Sequence, residues 1–368
     1  MKTFFNTVIV SSIILFTIIS ESYSQPLINY KIAENPWEAG LGNHRAILQI
    51  DQPLDAAHLQ LTWRRHDSKP EWKKFIIIHA NSGDTIQNIY RILVNNEQCE
   101  ITFGPVTKSG KYHFYYLPFE PQGGHGNYRK NYLKKELEPS EEWVSRNKLQ
   151  KQNKVKKLVK AKSVSIESTT PFDSFFPMEI IALGQEKEKY LRQFKQEYHL
   201  FAEGRKYPVR MQDNIPQRWI DFPQPTSFAG EAAKNEYYAF QIALWASDRD
   251  IDNVKLEFGK LTNGNSEIPS SAFTCFNTDG VDPYGNEFSK QVDVEKGNVQ
   301  PFWIGMDIPQ EILAGNYQGK IIVNAGNASS QIVDVELTVG DNVLADRGDS
   351  ETWRHSRLRW LNSRAGID

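Results

Sequence analysis

The stretch Val299–Val323 constrains the fold of this chain more than any other. Phe302, Trp303 and Ile304 are aromatic or β-branched, the residue types that suit a pleated, half-buried surface. Pro309 cannot donate to a ladder, so the first strand ends there. Gly315 and Asn316 are turn formers, and Tyr317-Gln-Gly-Lys-Ile-Ile-Val323 runs out of them as the second strand. The pattern is a strand, a proline-punctuated loop and a strand. Trp303, set between Phe302 and Ile304, is expected in the core.

The alternation extends on either side of this hairpin. Tyr238, Phe240, Ile242 and Leu244 alternate with Ala239, Gln241, Ala243 and Trp245. Val254, Leu256 and Phe258 alternate with Lys255 and Glu257, and Val333, Val335, Leu337 and Val339 with Asp334, Glu336 and Thr338. That is the antiparallel pattern of one face in and one face out. Residues 226–340 therefore read as an immunoglobulin-like β-sandwich.

Residues 26–125 also read as β. Leu59, Leu61 and Trp63 share one face of Ala57–Arg65, and Tyr112, Phe114 and Tyr116 share one face of Gly110–Pro118. Lys74–Ala80 is a continuous apolar run, and Asn81-Ser-Gly-Asp84 and Lys108-Ser-Gly110 are turn signals. Strands are expected again at Val164–Ser168 and Met178–Leu183. Tyr190, Leu191 and Phe194 place a short helix over about 186–198.

The segment 128–162 departs from this pattern, with 12 Lys and Arg against 4 Asp and Glu. Ser140 is a suitable N-cap, and Glu141 and Glu142 suit the helix dipole. Apolar residues are sparse, so a long, thinly docked basic helix is expected over about 140–162. No aromatic residues interleave with the lysines, which favours a solvated face over a polyanion arm. Pro208, Pro216, Pro223 and Pro225 mark 205–225 as an ordered linker. The chain is thus expected to be mainly β. Two sandwiches, 25–204 and 226–340, are joined by a helical, basic segment and a proline-rich linker, and 341–368 leads toward a further domain.

Lys2 followed by the apolar run Val8–Ile19, with Ser22 and Ser24 before Gln25, reads as a signal peptide over 1–24. It implies a secreted or periplasmic location, with or without attachment at the cell surface, and no membrane span after cleavage. A formal charge of −2 argues against a nucleic-acid partner. Cys99 and Cys275 lie in different expected domains and are expected as two separate buried thiols.

Several phrases together resemble one family. They are Trp63-Arg-Arg-His-Asp67, Gly110-Lys-Tyr-His-Phe-Tyr-Tyr-Leu-Pro118, Phe172-Asp-Ser-Phe-Phe-Pro-Met-Glu-Ile-Ile181 and Arg205-Lys-Tyr-Pro-Val-Arg-Met211, followed by Gly280-Val-Asp-Pro-Tyr-Gly-Asn-Glu-Phe288, the 299–323 hairpin and Arg357-Leu-Arg-Trp-Leu-Asn-Ser-Arg-Ala-Gly-Ile-Asp368. In this order they resemble the N-terminal region of secreted bacterial glycoside hydrolase domain-containing proteins related to glycoside hydrolase family 123. The resemblance implies a polysaccharide-directed hydrolase, with N-acetylhexosamine-containing glycans among its substrates. It also implies a catalytic (β/α)₈ barrel after the sandwich, with an adjacent Asp-Glu pair. No match to that pair occurs here, so no catalytic residue is carried over, and no cofactor or metal is expected.

Glycoside hydrolysis needs two carboxylates flanking the scissile bond. Asp279, Asp282, Glu287 and Asp293 cluster in sequence around Gly280 and Gly285. They suit an acid/base pair or a calcium loop, but Asp and Gly also dominate ordinary turns. Arg64, Arg65, His66 and Asp67 suit sugar hydroxyls, or equally a satisfied cluster at a strand end. Tyr115 and Tyr116, with Gly123-Gly-His-Gly126 after them, suit a stacking platform or plain core packing. The carbohydrate-contact candidates are therefore Arg64, Arg65, Asp67, Tyr115, Tyr116, Asp282 and Glu287. The histidines show no metal-binding spacing. The reading is a non-catalytic N-terminal portion of a secreted glycoside hydrolase with a glycan substrate. The rivals are a stand-alone carbohydrate-binding or adhesion module, and a complete enzyme with its site between the two β-domains. Trp353, Leu358, Trp360 and Leu361 are expected to need a covering element.

Overall fold

The computed structural model describes residues 29–122, 129–223, 226–282 and 284–348. The signal-like segment, the Gly123–Gly126 run and the Trp353–Leu361 cluster lie outside them.

The first sandwich uses ten strands: β1 (Tyr30–Ile32), β2 (His44–Ile50), β3 (Ala57–Thr62), β4 (Ile76–His79), β5 (Asn88–Val94), β6 (Gln98–Gly104), β7 (Gly110–Tyr115), β8 (Phe119–Gln122), β9 (Arg129–Tyr132) and β10 (Lys162–Ser168). One sheet has the order β1-β10-β2-β7-β4 and the facing sheet β3-β6-β5, while β8 and β9 form a separate hairpin. The alternation read from the sequence sets the core. Leu59, Leu61 and Trp63 meet Tyr112, Phe114 and Tyr116, with Leu48, Ile101 and Phe103 filling between them.

The second sandwich uses β11 (His199–Glu203), β12 (Ser227–Lys234), β13 (Tyr237–Trp245), β14 (Lys255–Phe258), β15 (Leu261–Thr262), β16 (Glu267–Ile268), β17 (Phe273–Cys275), β18 (Asp279–Val281), β19 (Glu287–Ser289), β20 (Val299–Asp307), β21 (Gly315–Asn324) and β22 (Gln331–Val343). A four-stranded sheet, β11-β13-β20-β17, faces a sheet ordered β12-β22-β21-β15-β16, with β14 also on β21. Tyr238, Phe240, Ile242, Phe302, Ile304 and Met306 point into its core against Val333, Val335, Leu337 and Val339. The pair β12–β22 is parallel, as is β1–β10. Side-chain alternation has the same period in both orientations, so it could not announce this.

Four expectations are corrected. The first is Trp303. It lies in β20 as read, but Phe302, Ile304 and Met306 take the core face, and the pleat turns Trp303 outward at 42% exposure. The second is the basic segment, which is no long helix. It forms α1 (Glu141–Arg146) and α2 (Gln152–Val155), interrupted at Lys148, whose φ is 55°. Ser140 caps α1 as expected, accepting from the Trp143 N–H at 3.3 Å. The segment is firmly docked: Trp143, Val144, Leu149 and Val155 are buried with Ala56, and the Trp143 indole donates to the Asp55 carbonyl at 2.9 Å. Lysine composition hid four apolar anchors.

The third correction is the linker. Val209, Met211, Ile215 and Trp219 of 205–222 are buried on the outer face of the four-stranded sheet, against Phe201, Ala243, Trp245 and Val299. Prolines stop regular elements here, but the side chains between them are apolar and cover a sheet. Residues 199–203, assigned from the sequence to the first sandwich, form β11 and pair with β13 of the second. The fourth is Met178–Leu183, which is a 3₁₀ turn and loop with an isolated Ile181–Pro216 bridge and a 3.4 Å bond from the Ile181 N–H to the Arg64 carbonyl in place of a strand ladder. The expected short helix is α3 (Gly184–Gln193), and α4 (Gln217–Asp221) follows it in the covering segment. Cys99 and Cys275 are free and buried, as expected.

Candidate functional site

Arg64 ends the first sandwich's strand with a left-handed backbone, φ 51°. That turn aims its guanidinium at Glu186 of α3, with both bonds at 2.7 Å and a third to the Ile181 carbonyl at 3.2 Å. The Gly184 N–H donates to Glu97 at 2.8 Å beside it. Burial pushes the Glu186 carboxyl up, but Arg64 and the Leu183 N–H outweigh it and hold the group below its ordinary range. Since α3 also packs on the second sandwich through Tyr190, this pair fastens one sandwich to the other. Arg64 is a clasp, with three of its donors given to Glu186 and Ile181.

Arg65 and Asp67 form a second closed unit. The Arg65 Nε and Nη2 donate to the two Asp67 oxygens at 2.7 Å each, and Lys73 donates to the same carboxylate. The guanidinium lies between the Trp63 and Tyr116 rings, 4.3 and 4.6 Å from their centroids. Burial raises the Asp67 pKa, yet the charges and hydrogen bonds of Arg65 and Lys73 bring it down to about 2. The Arg65 Nη1 is buried without a protein partner.

Tyr115 and Tyr116 are both buried and offer no platform. The Tyr115 hydroxyl accepts from Arg45 at 3.3 Å, within a cluster where Arg45 also grips Glu167 and stacks over Trp37. Tyr116 packs edge-on against Phe114, and burial pushes its phenol pKa up. The order of residues along β7 decides this. Tyr112, Phe114 and Tyr116 fill the core, and the outward Tyr115 is covered by Trp37.

The carboxylates near Gly280 do not assemble. Asp282 folds its own turn: it accepts from the Tyr284 and Asn286 N–H groups at 2.9 Å, and those bonds hold its pKa low. Asp279 accepts from Thr278, and Asp293 from the Asn253 N–H in a different loop. Glu287 lies on the exposed strand β19. Among the described residues no group of three or more His, Cys, Asp and Glu is placed to hold a metal.

Sequence reasoning missed the outer face of the four-stranded sheet. Trp303, Phe276 and Tyr237 stand exposed there, at 42%, 49% and 38%. The Phe276 N–H, in the turn just past β17, donates to the Trp303 carbonyl at 2.8 Å, which sets these two side by side. The Tyr237 and Phe276 rings meet at 5.8 Å over Gly305, where a Cβ would come within 2.6 Å of both. The signal was the two-residue spacing of Trp303 and Gly305. It could not be used because the neighbouring residues are apolar as well.

An open cavity of about 570 Å³ lies elsewhere, lined by Leu191, Phe194, Lys195, Glu197, Ser247 and Asp248 among others. Its Glu197 is already engaged by Arg249 and by the Ser329 N–H.

No curated protein matches this sequence. Among solved structures, a family 123 glycoside hydrolase from Clostridium perfringens, studied for glycolipid glycan hydrolysis, aligns at 17% identity and TM-score 0.32. That match covers 40% of this chain and 28% of the enzyme's own. A PapD-like domain of human CEP192 aligns at 11% identity and TM-score 0.21, over 33% of this chain and 92% of that one. A type I cohesin from Pseudobacteroides cellulosolvens aligns at 11% identity and TM-score 0.15, over 32% and 92%. Family profiles give the assignment. Residues 35–169, the span of the first sandwich, match the glycoside hydrolase 123 N-terminal domain, and residues 275–325, which include the β20–β21 hairpin, match a second profile of that name. With one matched segment in each sandwich, the chain is related to the N-terminal region of glycoside hydrolase family 123 proteins.

Proposed function

We propose that this chain is the non-catalytic N-terminal portion of a secreted glycoside hydrolase acting on polysaccharide or glycan, with N-acetylhexosamine-containing glycans as its substrate class. The observation that carries the reading is the family match on both sandwiches. The fate of the candidate side chains supports it: Arg64, Arg65 and Asp67 are spent on ion pairs, and Asp282 on its own turn. In this reading the two sandwiches, the second of them immunoglobulin-like, are a clasped scaffold, and a catalytic barrel elsewhere in the protein supplies the carboxylate pair. The leader at 1–24 directs export. No helix among the described residues is long and apolar enough to cross a membrane.

Turnover of aryl N-acetylhexosaminides tests this. The chain alone is expected to be inactive, and a protein that continues through the downstream coding region active. Hydrolysis by the chain alone that disappears in Asp282→Ala or Glu287→Ala would refute the proposal.

A further inference from the structure

We infer that the strip Tyr237–Phe276–Trp303, on the outer face of the four-stranded sheet, is a stacking platform for the rings of an uncharged glycan. The inference rests on the glycan-directed reading above and adds to it a place of contact that lies on a sandwich.

The placement follows from the pleat. Directly opposed residues on neighbouring strands share a face. One row across the sheet reads Glu203, Gln241, Trp303, Phe276, and the next Ala239, Gly305, Thr274. Glu203 and Gln241 are buried, and Gln241 accepts the Val209 N–H of the covering segment at 2.9 Å. The cover stops there, and the row emerges at Trp303. Gly305 leaves room for the Tyr237 and Phe276 rings to pack over it, tilted 44° to each other. Both rings keep a large part of their surface in solvent there. An aromatic face is the negative pole of the ring quadrupole, and the C–H edges of a pyranose are the complementary partner.

Charge and area select the occupant. Gln241, Ala239, Tyr237, Thr274, Phe276, Trp303 and Gly305 are all uncharged, and the two charges in line with them are already paired, Asp307 with Arg347 at 2.7 Å and the buried Glu203 with Arg218 at 3.4 Å. Nothing on this face calls for an anionic or cationic ligand. Three rings about 40% exposed offer roughly 250 Å². A stable protein interface needs about 800 Å² per partner. The strip is too small for a second copy of the chain and the right scale for one or two sugar rings.

The test is binding of the full chain to a panel of neutral oligosaccharides, some containing N-acetylhexosamine and some only hexose, followed by tryptophan fluorescence and affinity electrophoresis. Trp303→Ala and Phe276→Ala are each expected to weaken binding at least tenfold with the melting temperature preserved, and Trp303→Phe to recover part of it. Trp72→Ala, a still more exposed ring of the first sandwich, is expected to change nothing. Wild-type binding that survives Trp303→Ala would overturn the site and leave the glycan-directed reading standing. Absence of binding across the panel would overturn the platform, while the hydrolase reading would still be judged by turnover of the longer protein. Loss of a dimer in Trp303→Ala, without any glycan binding, would make the strip a self-contact and overturn the inference as well.

Discussion

The outer face of the four-stranded sheet has two halves, and the chain treats them differently. On one half Phe201, Ala243, Trp245 and Val299 lie beneath Trp219, Ile215 and Met211. Trp219 stacks on Phe201 with centroids 4.2 Å apart and planes 5° apart, and its indole N–H donates to Glu203 at 2.9 Å. On the other half Trp303, Phe276 and Tyr237 have no such lid among the described residues. Strands β13 and β20 run through both halves, so pleat and propensity cannot account for the contrast. Burial explains the aromatics of the first half. It does not explain those of the second, where an exposed Trp gains little from folding.

The largest effect that sharpens this contrast is expected at Trp219. Its truncation to Ala removes a buried ring and leaves the Glu203 carboxyl, whose pKa burial already raises, with only the longer Arg218 pair at 3.4 Å. The expected cost is about 3–5 kcal/mol, read as a fall in the denaturant midpoint. A cost below about 1 kcal/mol would show that the cover is loosely held and erase the difference between the halves.

Trp143→Ala extends the comparison to the first sandwich, where a segment that reads as solvated is docked. A loss of about 3 kcal/mol is expected. Limited proteolysis of the wild type should also spare 141–155 at concentrations that cut exposed loops. Early cleavage there would restore the picture of a dispensable surface element.

Asp67 is expected to act next in size, and through pH. Its folded pKa is depressed to about 2, below the ordinary aspartate value of about 3.9. The stability it contributes is therefore complete above about pH 4 and is lost as pH falls through its folded pKa, about 2 kcal/mol in all. Asp67→Asn should flatten the acid limb of a stability–pH curve. An unchanged limb would mean that Asp67 is free in solution and again available as a contact residue.

The smallest effect is expected at the open half. Trp303→Ala should alter stability by less than about 0.5 kcal/mol. A cost of 3 kcal/mol or more would show that Trp303 is covered, and the two halves would then be alike.

Much of this was legible in the sequence. Leu59, Leu61 and Trp63, the inward set Tyr238, Phe240, Ile242 and Leu244, and the β20–β21 hairpin fall where their period places them. What misled was composition used in place of pattern. Lysines masked Trp143 and Val155, and prolines masked Val209, Ile215 and Trp219, because anchors spaced irregularly leave no period to detect. The site candidates pose a different problem. Arg64, Arg65, Asp67 and Tyr115 are the residue types that bind sugars, and also the types that satisfy one another across strand ends, and sequence spacing does not give the partners.

The sequence by itself determined the class of fold and the family relation, since both rest on local order: alternation of apolar residues, turn formers at fixed places, and phrases in a set succession. Only the tertiary structure decided which face of a doubly apolar strand is inward. In β20 both Phe302 and Trp303 are apolar enough for the core, and a shift of one residue exchanges them. The choice fell to the partners. The β22 ladder of Val333, Val335, Leu337 and Val339 closes over Phe302, Ile304 and Met306, while the covering segment stops short of Trp303. Neither partner lies near β20 in sequence, so no reading of β20 alone could have placed its tryptophan on the surface.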